Sequence, residues 1–354
     1  MLQSERRDIL KRMRSLVALF AMLGVAALAL TAWTGLAGAS SKKTSLTGAG
    51  SSFVAPLVTQ WIQHYGVADI NYSPVGSGAG IAQISARTVD FGASDAPMTP
   101  DQFSGCHGCV QIPWAFSATS IPYNVSGVGY GLKLTGPILA NIYLGKIKKW
   151  NDKRIKAINK GLNLPNEDIV PIYRSDGSGT SFNFTDYLSK VSKEWKRKIG
   201  KGTQPAFPTG VGARGSSGVA AKLGSTPGGI TYVDVAYAYK NHYKIAKIRN
   251  RAGKFVLPSV KSLKAVAQRV KTVPKNNAVS VVDPPKSVPT GYAICTFTWV
   301  IVPLQTSKAA DLKRYIDWAV TKGQKYGLQP GLLFLPLPSV VVKAARKTTA
   351  RLHT

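Results

Sequence analysis

Short apolar runs alternate along the chain with segments whose apolar residues recur at helical spacing. Residues 169–173 form an apolar run typical of a buried strand, and a Gly/Ser turn follows at 174–182. In the next segment the apolar positions at i, i+3, i+4, i+7 and i+11 are Phe184, Tyr187, Leu188, Val191 and Trp195. This spacing predicts a helix over 182–198, and therefore a strand–turn–helix unit.

The same order of elements occurs earlier in the chain. It appears at 46–53, followed by a helical pattern through Leu57 and Trp61, and again at 72–80, with a short helix predicted from Ile81. A related strand end lies at 89–95. Ligands of open α/β sheets bind beyond the carboxyl ends of the strands. We therefore expect these three loops and the one at 174–182 to converge on a single ligand.

The rest of the chain also alternates between strand and helix patterns, as in an α/β protein. The remaining predictions are strands at 114–123, 229–233, 292–303 and 332–338, the last rich in proline, and helices at 311–322 and 339–352. Segments 134–143 and 147–160 are predicted to be helical or turn-rich, and a short helix is predicted to begin at 219–223. The glycine-rich segment 210–218 is equally compatible with a further ligand loop and with a surface hairpin.

The loop at 174–182 has the chemistry of an oxyanion site. Its glycines allow backbone N–H groups to approach a ligand, and the first turn of a helix presents unpaired N–H donors. Ser178, Thr180 and Ser181 add hydroxyl groups, and Arg174 adds a planar cation. The alternative is that the serines only cap the helix.

The sequence lacks the patterns of the common enzyme classes. No P-loop, dinucleotide-binding GxGxxG unit or GxSxG elbow is present, and the four histidines are isolated from one another. No nucleophile with an activating base and no metal-ligand cluster can be identified. We therefore expect a binding protein without catalytic residues, metal or cofactor.

The first 39 residues have the pattern of an export signal. A basic segment, with five cations between Arg6 and Arg14, precedes an uncharged apolar run at 16–30 and a small-residue cleavage pattern at 37–39. We predict cleavage near Ala39 and a periplasmic or cell-surface location. An uncleaved anchor is the alternative, and the arginine pair leaves open whether the signal is of the twin-arginine kind.

The chain of 354 residues is strongly basic, with 46 Lys and Arg against 16 Asp and Glu. Removal of residues 1–39 takes away five basic and two acidic residues, so a net charge of +30 falls only to +27. Residues 235–282 contain no carboxylate. The lysines are scattered without a nucleic-acid motif, so we interpret them as a solvated face and expect no nucleic-acid partner. Attraction of an anionic ligand and adaptation to an acidic exterior are two explanations of the charge.

Three cysteines are too few for a four-cysteine zinc site. Cys106 and Cys109 form a single CxxC that does not open a helix after a strand, as a redox motif would. In an exported chain this spacing favours a local disulfide, and Cys295 is predicted to be a buried free thiol.

Four segments together resemble one family. They are 45–53 (SLTGAGSSF), 89–97 (VDFGASDAP), 142–150 (IYLGKIKKW) and 174–182 (RSDGSGTSF), in the same order as in the bacterial periplasmic phosphate-binding proteins, the substrate-binding components of the phosphate ABC transporter. The resemblance covers essentially the whole mature chain. It implies a two-lobed type II periplasmic-binding-protein fold, with a hinge and an interlobe ligand cleft. It also implies binding of phosphate as a monomer and delivery to the membrane permease subunits.

The resemblance also places lobes and ligand contacts on this sequence. One lobe is expected to comprise 44–120 with 294–354, and the other 121–293. The implied phosphate ligands are Ser52, Phe53, Ser77, Asp95, Arg174, Ser178, Gly179 and Thr180. Ser52 stands where the family often has threonine, which keeps a hydroxyl group. The CxxC at 106–109 is a second departure and affects no ligand contact.

Asp95 supports the choice of ligand by a physical argument. A carboxylate facing an anion is tolerated only if the anion brings a proton to share, as phosphate does and sulfate at neutral pH does not. Arg174 supplies the opposite charge and can keep Asp95 ionised. Asp176 is expected to orient Arg174 or to cap the loop rather than to touch phosphate. A receptor for another oxyanion such as sulfate remains the alternative ligand class, and an adhesive surface protein is the alternative function.

Overall fold

The computed structural model describes residues 43–354, so the predicted export signal lies outside the described part of the chain. In chain order the strands are β1 Ser45–Gly50, β2 Asp69–Ser73, β3 Phe91–Ser94, β4 Cys109–Ser120, β5 Pro122–Asn124, β6 Lys133–Leu134, β7 Val170–Arg174, β8 Val211–Ala213, β9 Gly229–Ile230, β10 Val233–Asp234, β11 Lys244–Ile245, β12 Lys247–Arg249, β13 Phe255–Val256 and β14 Cys295–Pro303. Within residues 43–354 no helix has the length and apolar character needed to cross a membrane.

Helices connect most of these strands. They are α1 Ala55–Tyr65, α2 Ser77–Ser85, α3 Pro100–Gly105, α4 Gly136–Tyr143, α5 Lys153–Lys156, α6 Gly179–Val191, α7 Lys193–Lys198, α8 Gly215–Gly224, α9 Val235–Lys240, α10 Val260–Ala267, α11 Ala309–Ala319 and α12 Ser339–Thr349, with a 3₁₀ helix at Lys322–Leu328. α1 illustrates why they form. Its buried face carries Leu57, Trp61 and Tyr65, and the chain ends the helix at Gly66 with φ of 67°.

The first large sheet has the order β10-β4-β14-β3-β1-β2. β1 is parallel to β2 and β3, whereas β14 is antiparallel to both β3 and β4. Every residue of β14 is buried, which fits its continuous apolar sequence. Trp114 on β4 and Trp61 on α1 pack at 5.1 Å between ring centroids, and each buried side chain of this size contributes about 3 kcal/mol of apolar burial.

The second large sheet has the order β11-β5-β9-β7-β8, and a small third sheet has the order β13-β12-β6. β7 is parallel to β8 and β9. The chain passes from the first sheet to the second between Ser120 and Pro122, through the single buried residue Ile121. The parallel strands of both large sheets direct their carboxyl ends to loops that carry the predicted ligand residues.

Three sequence predictions of local structure were wrong. The helix over 182–198 is interrupted at Ser192, whose backbone is extended. The side chain of Ser192 accepts a hydrogen bond from Trp195 N and so caps a new helix. The predicted strand 332–338 makes only one isolated bridge, between Leu335 and Phe116, since Pro336 and Pro338 lack the N–H donors that a longer ladder needs. The helix predicted from Ile81 already begins at Ser77.

Candidate functional site

Four helices begin within a few residues of the ends of parallel strands. α1, α2, α6 and α8 follow β1, β2, β7 and β8, respectively. The loops of the two sheets touch: Gly78 N donates to Gly177 O at 2.8 Å, and Gly179 N donates to Ser77 Oγ at 3.1 Å. The expected convergence of the Gly/Ser loops is therefore present. Helix N-termini supply unpaired N–H donors and a positive dipole end, which together favour an anion.

Asp95 lies directly after β3 and is 2% exposed. Its Oδ1 accepts a hydrogen bond from Ser51 Oγ at 2.5 Å, and Oδ2 faces Ser77 Oγ at 3.5 Å. The backbone N of Asp95 donates to Ser77 Oγ at 3.3 Å. The carboxyl group is thus held by two hydroxyl groups from the ends of β1 and β2.

Burial raises the pKa of Asp95 to about 7, against the lowering effects of the Ser51 hydrogen bond, the charge of Arg174 and the Ser77 hydrogen bond. Arg174 favours the ionised form of this carboxyl group, as expected, but burial has the larger effect on its pKa. The attraction of one cation is smaller than the cost of removing the carboxylate from water. Near neutral pH the group is poised between its two protonation states.

Arg174, the last residue of β7, is 3% exposed and pairs with Asp176 at two points. Nε donates to Oδ1 at 2.6 Å, and Nη2 donates to Oδ2 at 2.5 Å. Burial raises the pKa of Asp176, but the hydrogen bond and the charge of Arg174 outweigh it, so the pKa lies below its ordinary value. Asp176 orients Arg174, as predicted, and leaves Nη1 directed at Ser216 Oγ at 3.5 Å.

Ser52 and Ser216 join the ends of β1 and β8. Their Oγ atoms lie 2.9 Å apart, and Ser216 N donates to Ser52 Oγ at 3.0 Å. Tyr237 OH from α9 donates to Ser52 O at 3.0 Å and fixes the same loop from a third side. Both serine residues are buried. The hydroxyl pair, together with Arg174 Nη1, forms a polar corner of the site.

Sequence reasoning missed Ser51 and Ser216. Ser51 stands beside Ser52 in one Gly/Ser run, and nothing in the local pattern distinguishes the residue that faces Asp95. Ser216 lies in the segment 210–218, for which a ligand loop and a surface hairpin were equally favoured. The structure contradicts the hairpin, because Val211–Ala213 pairs in parallel with β7, and it places Ser216 in the first turn of α8 beside Ser52 and Arg174.

The remaining predicted residues lie in the same place. Phe53 is fully buried, and its N donates to Ser51 Oγ at 3.1 Å. Ser178 caps α6, because its Oγ accepts a hydrogen bond from Ser181 N at 3.1 Å, so the alternative that the serines cap the helix holds for this residue. The O–H of Ser178 can still donate a hydrogen bond to a ligand. Thr180 Oγ1 is buried and has no hydrogen-bond partner among the described residues.

Gly179 lets the two groups of loops approach each other. A Cβ atom at this position would lie 2.6 Å from Asp95 N and 2.7 Å from Ala96 N, both backbone atoms. Only glycine allows this contact without displacement of one loop. The loops of Asp95 and of α6 therefore meet backbone to backbone.

Other predicted features lie away from these loops. Cys106 and Cys109 are joined by a disulfide, and Cys295 is a buried free thiol. Arg87 donates to the carbonyl oxygens of Cys106 and His107. Over residues 43–354 no group of three or more His, Cys, Asp or Glu side chains is arranged to hold a metal ion.

Comparison with known proteins places the chain in a family. A family model described as the PBP superfamily domain matches residues 37–322. The chain is 41% identical over 312 residues to a phosphate-binding protein PstS of Xylella fastidiosa, covering 86% of this chain and 84% of the relative. It is 37% identical over 313 residues to the phosphate-binding protein PstS of Haemophilus influenzae, covering 86% and 92%.

Solved structures share the fold. A high affinity periplasmic phosphate-binding protein bound with phosphate matches with a TM-score of 0.68 and 21% identity, covering 86% of this chain and 93% of the other. The phosphate binding protein of Stenotrophomonas maltophilia matches with a TM-score of 0.65 and 20% identity, again over 86% and 93%. The predicted α/β periplasmic-binding-protein fold is confirmed.

The fold and the convergent loops thus define a binding protein of the PBP superfamily. Within that superfamily the chain belongs to the phosphate-binding protein family. Membership confirms the resemblance inferred from the four sequence motifs, and it confirms the expectation of a binding protein rather than an enzyme.

Proposed function

We propose that this chain binds inorganic phosphate outside the cytoplasmic membrane and delivers it to the permease of a phosphate ABC transporter. The observation that carries the proposal is the buried carboxyl group of Asp95, which two hydroxyl groups hold beside Arg174 among four helix N-termini. The relatives' names, as phosphate-binding proteins, support the same ligand.

The proposed ligand set contains the eight residues implied by the sequence and two more. It comprises Ser52, Phe53, Ser77, Asp95, Arg174, Ser178, Gly179 and Thr180, extended by Ser51 and Ser216. Asp176 offsets the charge of Arg174, so hydroxyl and N–H dipoles contribute much of the binding free energy. The unpaired hydroxyl of Thr180 fits an acceptor supplied by the ligand.

Asp95 would select the protonated oxyanion. An ionised carboxylate only accepts hydrogen bonds, so it pairs with the O–H of hydrogen phosphate. Above about pH 7, where Asp95 is ionised, sulfate has no proton to offer, so it would meet a like charge and an unsatisfied acceptor. Nothing in the comparisons favours sulfate as the ligand.

The two lobes are proposed to be 44–120 with 294–354, and 121–293. Membership of the two large sheets supports this division, with one exception. The two-residue strand β10, Val233–Asp234, pairs with β4 in the first sheet although it lies within 121–293. Hinge bending near Ile121 would separate the loops of Asp95 and Gly179 and open the site.

The proposal also includes export, cleavage near Ala39, a monomeric state, the absence of a nucleic-acid partner and docking on permease subunits. One of the solved proteins with the same fold is described as periplasmic, and this supports an exported location. Mass determination of the mature N-terminus in a native preparation would test the cleavage site.

The function is tested by calorimetric titration of purified protein with phosphate and with sulfate at pH 8 in the same buffer. We expect tight binding of phosphate and much weaker binding of sulfate. Equal affinities for the two anions would contradict the role of Asp95. Absence of phosphate binding by folded protein would contradict the function itself.

Ser216→Ala should weaken phosphate binding by about 5- to 30-fold, the equivalent of one or two lost hydrogen bonds. The reason is that Ser216 Oγ lies within reach of both Ser52 Oγ and Arg174 Nη1. Isothermal calorimetry measures the change. Ser217→Ala is the matched control, since Ser217 is exposed on the same helix and should leave the affinity unchanged. Equal effects of the two variants would remove Ser216 from the site.

A further inference from the structure

Three neighbouring surface depressions at the far end of α6 are lined by cations. The central depression shares Lys190 and Val191 with one neighbour and Asp283 with the other, so the three form one continuous concave surface. Its basic residues are Lys190, Lys193, Lys196, Lys201, Arg249, Arg251, Arg269 and Lys271. We call this surface the basic trough.

The carboxylates of the basic trough are almost removed from solvent. Asp186 and Asp283 have side chains that are 8% and 6% exposed. Asp186 pairs with Lys190 and Lys201, and Asp283 pairs with Arg251. The other five cations of the trough have no carboxylate partner among the described residues. The surface thus presents cations to solvent without accessible carboxylates in its lining.

Two parts of the chain that are distant in sequence build the trough. α6, α7 and the segment that follows supply the first four lysines. The carboxylate-free stretch 235–282 supplies Arg249, Arg251, Arg269 and Lys271. What the sequence presented as a solvated basic face is therefore, in part, one wall of a concave surface. Convergence of separate segments distinguishes this trough from a chance run of lysines along one helix.

We propose that the basic trough binds inorganic polyphosphate, a flexible linear polyanion of closely spaced phosphates. Charge complementarity supports this occupant, because a chain of phosphates can contact successive cations along a concave surface and release its counterions. Lys190 and Gly179 are eleven residues apart on α6, so the trough lies roughly 16 Å from the phosphate site. The proposal therefore does not depend on the function of that site.

The lining disfavours two other polyanionic partners. Single-stranded nucleic acid is held by aromatic side chains on which bases stack, but the aromatic residue that lines the trough, Tyr187, is fully buried. Stable docking of a folded surface on an anionic membrane is favoured when basic residues are combined with apolar side chains that insert into it. None of the large apolar side chains exposed in residues 43–354 lines the trough.

The test uses the triple variant Lys193→Gln, Lys196→Gln, Arg249→Gln, none of whose residues makes an ion pair in the described part of the chain. Binding of end-labelled long-chain polyphosphate is followed by fluorescence anisotropy over a series of salt concentrations. We expect about a 10-fold or greater loss of affinity at physiological salt and a log–log salt slope lower by about 2. Phosphate binding and the melting temperature of the ligand-free protein should stay at the wild-type values.

The matched control is the triple variant Lys343→Gln, Lys347→Gln, Arg351→Gln. These three cations are exposed on and just beyond α12, and their replacement removes the same amount of charge. It should lower polyphosphate affinity by less than about 2-fold. Lys193→Arg with Lys196→Arg keeps the charge and should bind as the wild type does. Equal losses in the two glutamine triples would overturn the proposal, because net charge alone would then explain binding. Tighter binding of single-stranded DNA with the same number of phosphates would overturn it in favour of nucleic acid.

Discussion

Asp95→Asn should raise sulfate affinity and lower the preference for phosphate over sulfate by about 100-fold or more. The amide Nδ2 donates a hydrogen bond where the carboxylate only accepts, so the like-charge clash with a fully deprotonated oxyanion disappears. The amide oxygen still accepts from Ser51 or from the O–H of phosphate, so phosphate affinity should fall less than the preference does. Calorimetric titration at pH 8 with both anions gives the ratio.

The pH dependence separates this mechanism from a simple loss of packing. Because burial raises the pKa of Asp95 to about 7, the carboxyl group is protonated below that pH and can donate to sulfate. Sulfate binding to the wild type should therefore strengthen as the pH falls through about 7, whereas in the asparagine variant this step should be absent. Asp90→Asn is the control: that carboxylate, bound to Thr47 and Lys308, lies away from the site. A phosphate-to-sulfate ratio that is unchanged by Asp95→Asn would refute the proton-sharing argument.

Gly179→Ala should weaken phosphate binding by about 10- to 100-fold, because the added methyl group would keep the two loops from approaching each other. An overpacked contact of this kind costs about 1–3 kcal/mol. The added Cβ would lie 2.6 Å from Asp95 N and 2.7 Å from Ala96 N. Backbone atoms cannot move aside as the end of a flexible side chain can. The loops would be held apart, and the ligand would lose contacts on one side.

The free energy of unfolding of ligand-free protein should change by less than about 1 kcal/mol, since hinge bending can separate the two loops without ligand and alanine is acceptable at the start of a helix. The rise in melting temperature on adding phosphate should shrink in proportion to the lost affinity. Gly218→Ala on α8 is the matched control, because its Cβ would meet no atom closer than 3.8 Å. Wild-type affinity in Gly179→Ala would show that the close contact of the loops is not needed for binding.

Much of the site could be predicted from local sequence. Apolar runs followed by Gly/Ser turns identified β1, β2, β3 and β7, and parallel strands bring their carboxyl ends to one edge of a sheet. The same local chemistry explains the errors. Ser192 is compatible with a continuous helix and with a new cap, and the structure shows the cap, with Trp195 buried in the core.

Local sequence was enough to predict the loops, their hydroxyl groups and, as one of two roles for Asp176, its pairing with Arg174, because these follow from turn chemistry and from residues two positions apart. The packing of distant segments was needed to show which serine faces Asp95, that Ser216 from the segment 210–218 lies beside Ser52, and that Gly179 meets a backbone 84 residues away. It also decided the charge state of Asp95. A pKa depends on how completely neighbouring groups exclude water, and that exclusion exists only once distant segments have packed together.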